Sequence, residues 1–321
     1  MRVAVLVGGR SSEHDVSLRS GTSVARGLEA AGHEVVAVTI TREGGWNHDG
    51  AAVELAPGGG LLGAGAVFPA LHGAFGEDGS VQGLLEWLDL PYVGSDVLSS
   101  AICMDKLTLK RLLAQRGIPQ VDFAAVGEPG WREHCEAMGL PLWVKPSRMG
   151  SSVGITRVEN IGELAGAVAA ALRHDPRVIV EASAAGREVE CSVLGNEELE
   201  TSLPGEIVAH ADWYDFEAKY QEGGMELRVP APLSGRETTR VRELAAQIFK
   251  LAGCSGLARC DFFVEPDGEI LVNEINTMPG FTETSVYAKL LEASGIAYED
   301  LCDRLVRLAL ERHAEARSYE F

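Results

Sequence analysis

The sequence lacks any CxxC pair and any cysteine–histidine spacing of the kind that holds zinc; its six cysteines, Cys103, Cys135, Cys191, Cys254, Cys260 and Cys302, are scattered. Such spacing suggests neither a zinc site nor a disulfide framework, so buried, reduced thiols are expected. No apolar run is long enough to span a bilayer. The amino terminus passes from a strand-like Arg2 to Val7 straight into Gly8-Gly9, without the basic region, apolar core and cleavage site of a signal peptide. A cytoplasmic protein with no membrane insertion is therefore expected. Basic clusters are missing too. With 28 Lys and Arg against 47 Asp and Glu, the formal charge is -19, which repels a phosphate backbone and argues against nucleic acid as the main partner. An anionic substrate would need a local basic pocket. No GxxxxGK[ST] loop is present, and the strand-to-helix turn at Gly8-Gly9 lacks GxGxxG, so P-loop and NAD chemistry are discounted.

What is present reads as α/β. At 321 residues the chain exceeds the roughly 250 to 300 at which one core stops growing, so two or three domains are expected. Val3 to Val7, Gly8-Gly9, an amphipathic stretch from about Val16 to Ala31, Gly32, and Val35 to Ile40 form a β-α-β pattern that implies a parallel sheet. Val67 to Leu71 and a helix-like Val81 to Leu88 extend it. A first α/β domain then covers 1–95. The central domain, 96–184, opens with a helix that Ser99 or Ser100 can cap and that carries Met104, Leu107, Leu112 and Leu113 on its apolar side. It continues through a strand at Leu142 to Lys145, a glycine-serine loop, a helix from Ile161 and a strand ending at Glu181. Ala182 to Gly186 reads as a hinge. The unit beyond it, 185–321, mixes strands and helices in α+β fashion.

The most informative stretch runs from Gly256 to Asn276 and reads as two strands around Pro266-Asp267-Gly268. A two-residue Asp267-Gly268 turn pairs residues symmetrically outward and sets Asp261 opposite Glu274 and Arg259 opposite Asn276, all on one face. Two carboxylates about 5 Å apart then share that face. Two carboxylates with an amide oxygen suit a hard cation such as Mg²⁺, and a solvated acidic face is the alternative. Lys145-Pro-Ser-Arg-Met-Gly-Ser-Ser-Val-Gly154 can turn N–H groups and hydroxyls towards a phosphate, or be a plain exposed turn. Ser11 or Ser12 can cap the first helix, with Glu13 favouring its dipole. The Pro279-Gly280 turn can free N–H groups for an oxyanion beside Arg259. Asp215 to Tyr220 reads as a surface loop, with a lid as the alternative. His72 at a strand end reads as a satisfied, partly buried histidine.

Taken in order, Gly-Gly-Arg-Ser-Ser-Glu-His-Asp-Val-Ser17, Leu-His-Gly73 with Gly-Glu-Asp-Gly79, Met-Asp-Lys106, the Lys145 to Gly154 loop, Tyr-Asp-Phe-Glu-Ala-Lys-Tyr220 and Asn-Glu-Ile-Asn-Thr-Met-Pro-Gly280 resemble the D-alanine:D-alanine ligases of the ATP-grasp superfamily over nearly the whole chain. The resemblance implies a three-domain ATP-grasp fold with a Rossmann-like parallel-sheet N-terminal domain. It also implies ATP gripped between the second and third domains. Lys106, Lys145 and Lys219 would meet the phosphates, Glu181 the adenine and Glu188 the ribose. Asp261, Glu274 and Asn276 would hold two Mg²⁺ ions, with Mn²⁺ able to substitute. Glu13 would take the ammonium of the first D-alanine, with Ser151 and Tyr220 as its hydrogen-bond partners. His72 and Ser285 would serve substrate binding, and Arg259 with Gly280 the oxyanion. The implied product is D-alanyl-D-alanine for peptidoglycan, made through a D-alanyl phosphate, and the implied assembly is a homodimer. Ligation of D-alanine to D-lactate or D-serine is the alternative within the superfamily, and Tyr220 argues against the depsipeptide. An inactive nucleotide-binding regulator is the other, disfavoured by Arg259, Asp261, Glu274 and Asn276 together.

Overall fold

The computed structural model describes residues 1–209 and 225–320. Its first sheet is built on β1 (Arg2–Gly8), buried at every position after Arg2 and flanked in parallel by β2 (Glu34–Ile40) and by β5 (Ala66–Pro69). Strands covered on both faces need such continuous apolar runs. Two short antiparallel strands, β3 (Trp46–His48) and β4 (Ala51–Ala52), extend the edge, giving the order β4-β3-β2-β1-β5. Between β1 and β2 lies α1 (His14–Ala30), which buries Val16, Ser20, Val24 and Leu28 at four-residue spacing. Gly21 is required where helix meets strand, because a Cβ there would stand 1.9 Å from Val7 Cγ1. Close packing of α1 on β1 holds Glu13, the N-cap of α1, just beyond the carboxyl end of β1. Ser11 and Ser12 do not cap α1, contrary to expectation. The Ser11 hydroxyl instead donates to the His72 carbonyl at 2.6 Å and accepts from the Glu13 N–H at 3.1 Å, so it ties two loops together. Helix α2 (Ser80–Trp87) completes the unit.

The single helix expected after residue 99 is two helices, α3 (Val97–Met104) and α4 (Lys106–Gln115). Their caps are Asp96 and Asp105, whose carboxylates accept from the N–H groups of Ser99 at 2.8 Å and Thr108 at 3.1 Å. Asp105 breaks the run because its backbone is extended there. A four-stranded antiparallel sheet follows in the order β6-β9-β7-β8, from β6 (Phe123–Ala125), β7 (Leu142–Pro146), β8 (Thr156–Val158) and β9 (Val178–Ala182). Helices α5 (Trp131–Met138) and α6 (Leu164–Ala171) accompany it, with Cys135 and Ala167 in its core.

The third sheet contains β10 (Arg187–Gly195), β11 (Leu199–Thr201), β12 (Gly205–Ala209), β13 (Met225–Arg228), β14 (Gly256–Val264) and β15 (Ile270–Asn276), in the order β13-β12-β10-β14-β15 with β11 on β10. Helix α7 (Gly235–Leu251) begins with a Ser234–Glu237 capping box and buries Val241, Leu244 and Ile248 against β14 and its neighbours. Helices α8 (Val286–Ala293) and α9 (Tyr298–Ala316) come last. The β14–β15 hairpin differs from the expected one in two places. Its loop is Pro266-Asp267-Gly268, closed by the Glu265 N–H on the Glu269 carbonyl at 2.8 Å, with Gly268 at φ 88°. Val264 therefore faces Ile270. A register shift between Asp261 and Phe262 leaves Asn273 as an extra residue, and Asp261 returns to a position opposite Glu274, with Arg259 opposite Asn276.

Candidate active site

The carboxylate face of the hairpin carries a close-set cluster of charges. The Arg259 guanidinium donates from Nε to Asp261 Oδ1 at 2.8 Å and from its terminal nitrogen to Asp261 Oδ2 at 2.7 Å. Asn276 Nδ2 donates to Asp261 Oδ2 at 2.9 Å. Glu190 of β10, the cross-strand partner of Asp261, brings Oε2 within 2.9 Å of Arg259 Nε. Burial works against the arginine's charge, but Asp261 and Glu190 outweigh it and hold its pKa well above the ordinary value. Glu274 keeps a partly exposed carboxylate 3.8 Å from Lys106 Nζ. Glu190 was not among the residues expected from the sequence. Its position two residues from Glu188 on a strand puts both on one face, and that alternation is a signal the sequence carries.

Facing this wall is a lysine wall. Lys145, on β7, brings Nζ to 2.6 Å from Glu181 Oε2, and Lys110, on α4, brings Nζ to 3.2 Å from Glu181 Oε1. Burial alone would raise the pKa of Glu181, yet the two ammonium groups pull it down to about 2. Burial lowers the pKa of Lys110, whereas Lys145 is held above its usual range because the charge of Glu181 outweighs its desolvation. Lys106 donates from Nζ to the Met149 carbonyl at 2.8 Å, so it braces the glycine-serine loop. Asp105 fastens the same loop to the head of α4 through Ser147 Oγ at 2.7 Å, and Leu107 N–H donates to that hydroxyl at 3.0 Å. Arg177 pairs with the other Asp105 oxygen.

Glu181 yields a pH prediction. Its folded pKa lies below its ordinary value of 4.5, so as pH falls the unfolded chain takes up the proton first. The stability this group supplies is complete above pH 4.5 and is lost as pH falls towards 2. A shift of that size corresponds to on the order of 3 kcal/mol. Glu181→Gln should therefore unfold more easily than wild type at neutral pH, and the gap should narrow as both are titrated towards pH 3 in urea melts. A gap of constant size across that range would show that the carboxylate's charge is not what stabilises the fold.

At the other end of the cleft, Ser151 Oγ donates to Glu13 Oε1. Ser151 and Ser152 sit in the left-handed region at φ 48° and 59°, a conformation that non-glycine residues adopt only where surrounding contacts hold them. The contact with Glu13 is one such hold. His72 is buried, with Nε2 2.8 Å from Ser20 Oγ and Nδ1 3.1 Å from the Met278 carbonyl. Burial disfavours its charge, yet Glu77, 3.4 Å away, and Glu13 hold its pKa above the usual value. Burial, with repulsion from Glu13, raises the pKa of Glu77 in turn. Glu77 lay unassigned in the Gly-Glu-Asp-Gly motif. Ser285 is the N-cap of α8, and its hydroxyl accepts from the Thr282 N–H at 2.9 Å.

The two charged walls and the Glu13–Ser151 end enclose one cleft of about 870 Å³, whose lining leaves out Lys110, Asp105, Ser147 and Arg177. Every described site residue expected from the sequence lines it, including Glu188, Asn276 and Gly280. Tyr220 and Lys219 lie outside the described residues. Among the described residues, no three of His, Cys, Asp and Glu gather as a ready-made cation cage. The set of Asp261, Glu274 and Asn276 nonetheless fits magnesium, which is commonly bound by one or two carboxylates together with substrate phosphates. The six cysteines are free and buried. Burial raises the Cys135 thiol to about 11, and the contact with Cys254 together with burial raises that of Cys103, so neither is set up as a nucleophile.

The chain belongs to the D-ala D-ala ligase family. The family's N-terminal model matches residues 2–61 and 60–95, and its C-terminal model matches 112–307. It is 44% identical to the D-alanine–D-alanine ligase of Solibacter usitatus, with 100% of this chain and 99% of the relative covered. It is 39% identical to D-alanine–D-alanine ligase A of Escherichia coli K12, with 98% and 97% covered. Among solved structures, the D-alanine-D-alanine ligase from Coxiella burnetii superposes with a TM-score of 0.89 at 38% identity, covering 99% of this chain and 96% of the other. The VanG D-Ala:D-Ser ligase from Enterococcus faecalis gives 0.87 at 35% identity, covering 96% and 99%.

Proposed function

We propose that the chain joins two D-alanines into D-alanyl-D-alanine, with ATP converted to ADP and phosphate, and so supplies a peptidoglycan precursor. The observation that carries this reading is the convergence on one cleft of a lysine wall, a carboxylate–arginine wall and the Glu13–Ser151 pair. Glu13 takes the ammonium of the first D-alanine, with Ser151 and Tyr220 as its hydrogen-bond partners and His72 beside it. Lys106, Lys145 and Lys219 hold the ATP phosphates, Glu181 the adenine and Glu188 the ribose. A carboxylate oxygen of the first D-alanine attacks the γ-phosphorus, ADP leaves, and an acyl phosphate forms. The amine of the second D-alanine, held by its carboxylate near Ser285, then attacks the acyl carbon; phosphate departs and the amine loses a proton. Arg259 and the Gly280 N–H carry the oxyanion of that step. Magnesium bound by Asp261, Glu274 and Asn276 would neutralise charge on the phosphates.

The same reading assigns 1–95 to a substrate-side domain, 96–184 to the central grasp domain and 185–321 to the metal-bearing one. It extends to a homodimer in the cytoplasm. No helix among the described residues is long and apolar enough to cross a membrane. Ligation of D-alanine to D-serine, the activity in the name of the VanG structure, is the less favoured reading, because the full-length relatives at 39 to 44% identity are D-alanine–D-alanine ligases. One assay separates them: ADP release and product identity with D-alanine alone, L-alanine alone, and D-alanine with D-serine or D-lactate. Dipeptide stoichiometric with ADP from D-alanine alone is expected. Absence of that dipeptide, with consumption of another amine or hydroxy acid, would overturn the assignment.

A further inference from the structure

We propose that Lys110 is a positioning residue of the nucleotide site: from behind the cleft wall it holds one oxygen of Glu181, so that the other stays on Lys145 and the Lys145 ammonium keeps its place facing the cleft. The inference rests on the reading of this cleft as an ATP site. Lys110 follows Lys106 by four residues on α4, so one helix face supplies both. Lys106 reaches the cleft, as do Lys145 and Glu181, while Lys110 does not line it. It is 1% exposed, packed with its ammonium 5.9 Å from the centre of the Phe123 ring. Phe123 is itself the cross-strand partner of Glu181. Among the described residues, Glu181 is the one anion within ion-pair distance of Lys110.

Burying an ammonium carries a large desolvation cost, and an apolar side chain would fill the same space without it. What Lys110 changes is the charge at the wall. Glu181 and Lys145 alone make a closed, neutral pair. With Lys110 the trio carries one net positive charge, and the carboxylate cannot swing towards Lys145 with both oxygens, because one is held from behind. Lys145 is thereby left able to meet an incoming polyanion. The raised pKa of Lys145 and the low value of about 2 for Glu181 agree with three groups fixed in this order.

The test is binding of a non-hydrolysable ATP analogue with Mg²⁺, measured by calorimetry without D-alanine, together with KM for D-alanine in the full reaction. Lys110→Met should weaken analogue binding about tenfold, while KM for D-alanine changes less than about twofold. A merely structural role would lower the melting temperature and move all constants together. Lys110→Met in a Glu181→Gln background removes both buried charges, so it folds even where the single variant does not. There the added substitution should change binding by less than about twofold, since its only route of action is gone. Wild-type binding by Lys110→Met, or a further loss of about tenfold in the Glu181→Gln background, would overturn the proposal. Nucleotide binding without dipeptide synthesis would count against the ligase reading alone.

Discussion

Glu274→Gln should lower turnover at saturating ATP and D-alanine about a thousandfold, equivalent to about 4 kcal/mol on the transition state. The amide matches the carboxylate in size, so pairing opposite Asp261 and packing of the hairpin should survive. What disappears is the more exposed anion of the proposed metal set, placed where Lys106 balances it at 3.8 Å. The proposed cation then has one charged oxygen donor fewer, and the concentration of Mg²⁺ needed for half-maximal rate should rise. Steady-state rates across a Mg²⁺ titration, with the circular dichroism spectrum as a check on fold, test this. Near-normal turnover with an unchanged Mg²⁺ requirement would mean that this face of the hairpin is structural.

Arg259→Lys should be nearly as damaging, with kcat lower by about a hundred- to a thousandfold. Lysine keeps the charge but loses the planar fork that engages both oxygens of Asp261 and reaches Glu190 as well. Whichever carboxylate the ammonium abandons loses a charge-assisted hydrogen bond in a buried setting, so stability should fall by about 1 to 3 kcal/mol. ATP affinity should change little, because the lysine wall stands across the cleft from Arg259. Rapid quench can separate the two chemical steps: acyl phosphate should still form while its capture by the second amine slows. Equal slowing of both steps would show that Arg259 acts on phosphoryl transfer instead.

The β14–β15 hairpin shows how far local sequence rules reach. Alternation and the Asp267-Gly268 pair led to Asp261 facing Glu274, and that opposition is present. The turn itself has one more residue, and the extra residue at Asn273 compensates for the difference. Sequence rules contain the φ preference of Gly268 but not a bulge, which is set by packing on neighbouring strands. The split of one expected helix into α3 and α4 failed in sequence for a related reason. Met104-Asp105-Lys106 continues a helical pattern, and the break is fixed by Ser147 and Arg177, which arrive from distant segments. β3, β4, β6 and β8 run two to three residues, too short for any period to register. Lys110 was illegible because a lysine on an amphipathic helix reads as solvated until a buried carboxylate is found beneath it.

Helix α9 lies against α1, and a Cβ on Gly27 of α1 would come within 2.7 Å of Cys302 Sγ. Leu301, Leu305 and Val306 share one core with Val3, Val5, Val24 and Leu28. During synthesis, then, the first strand and helix emerge long before the segment that covers them. The part of α1 that meets α9 stays open on the ribosome until residues past 300 emerge, and the unit made first is among the last to close.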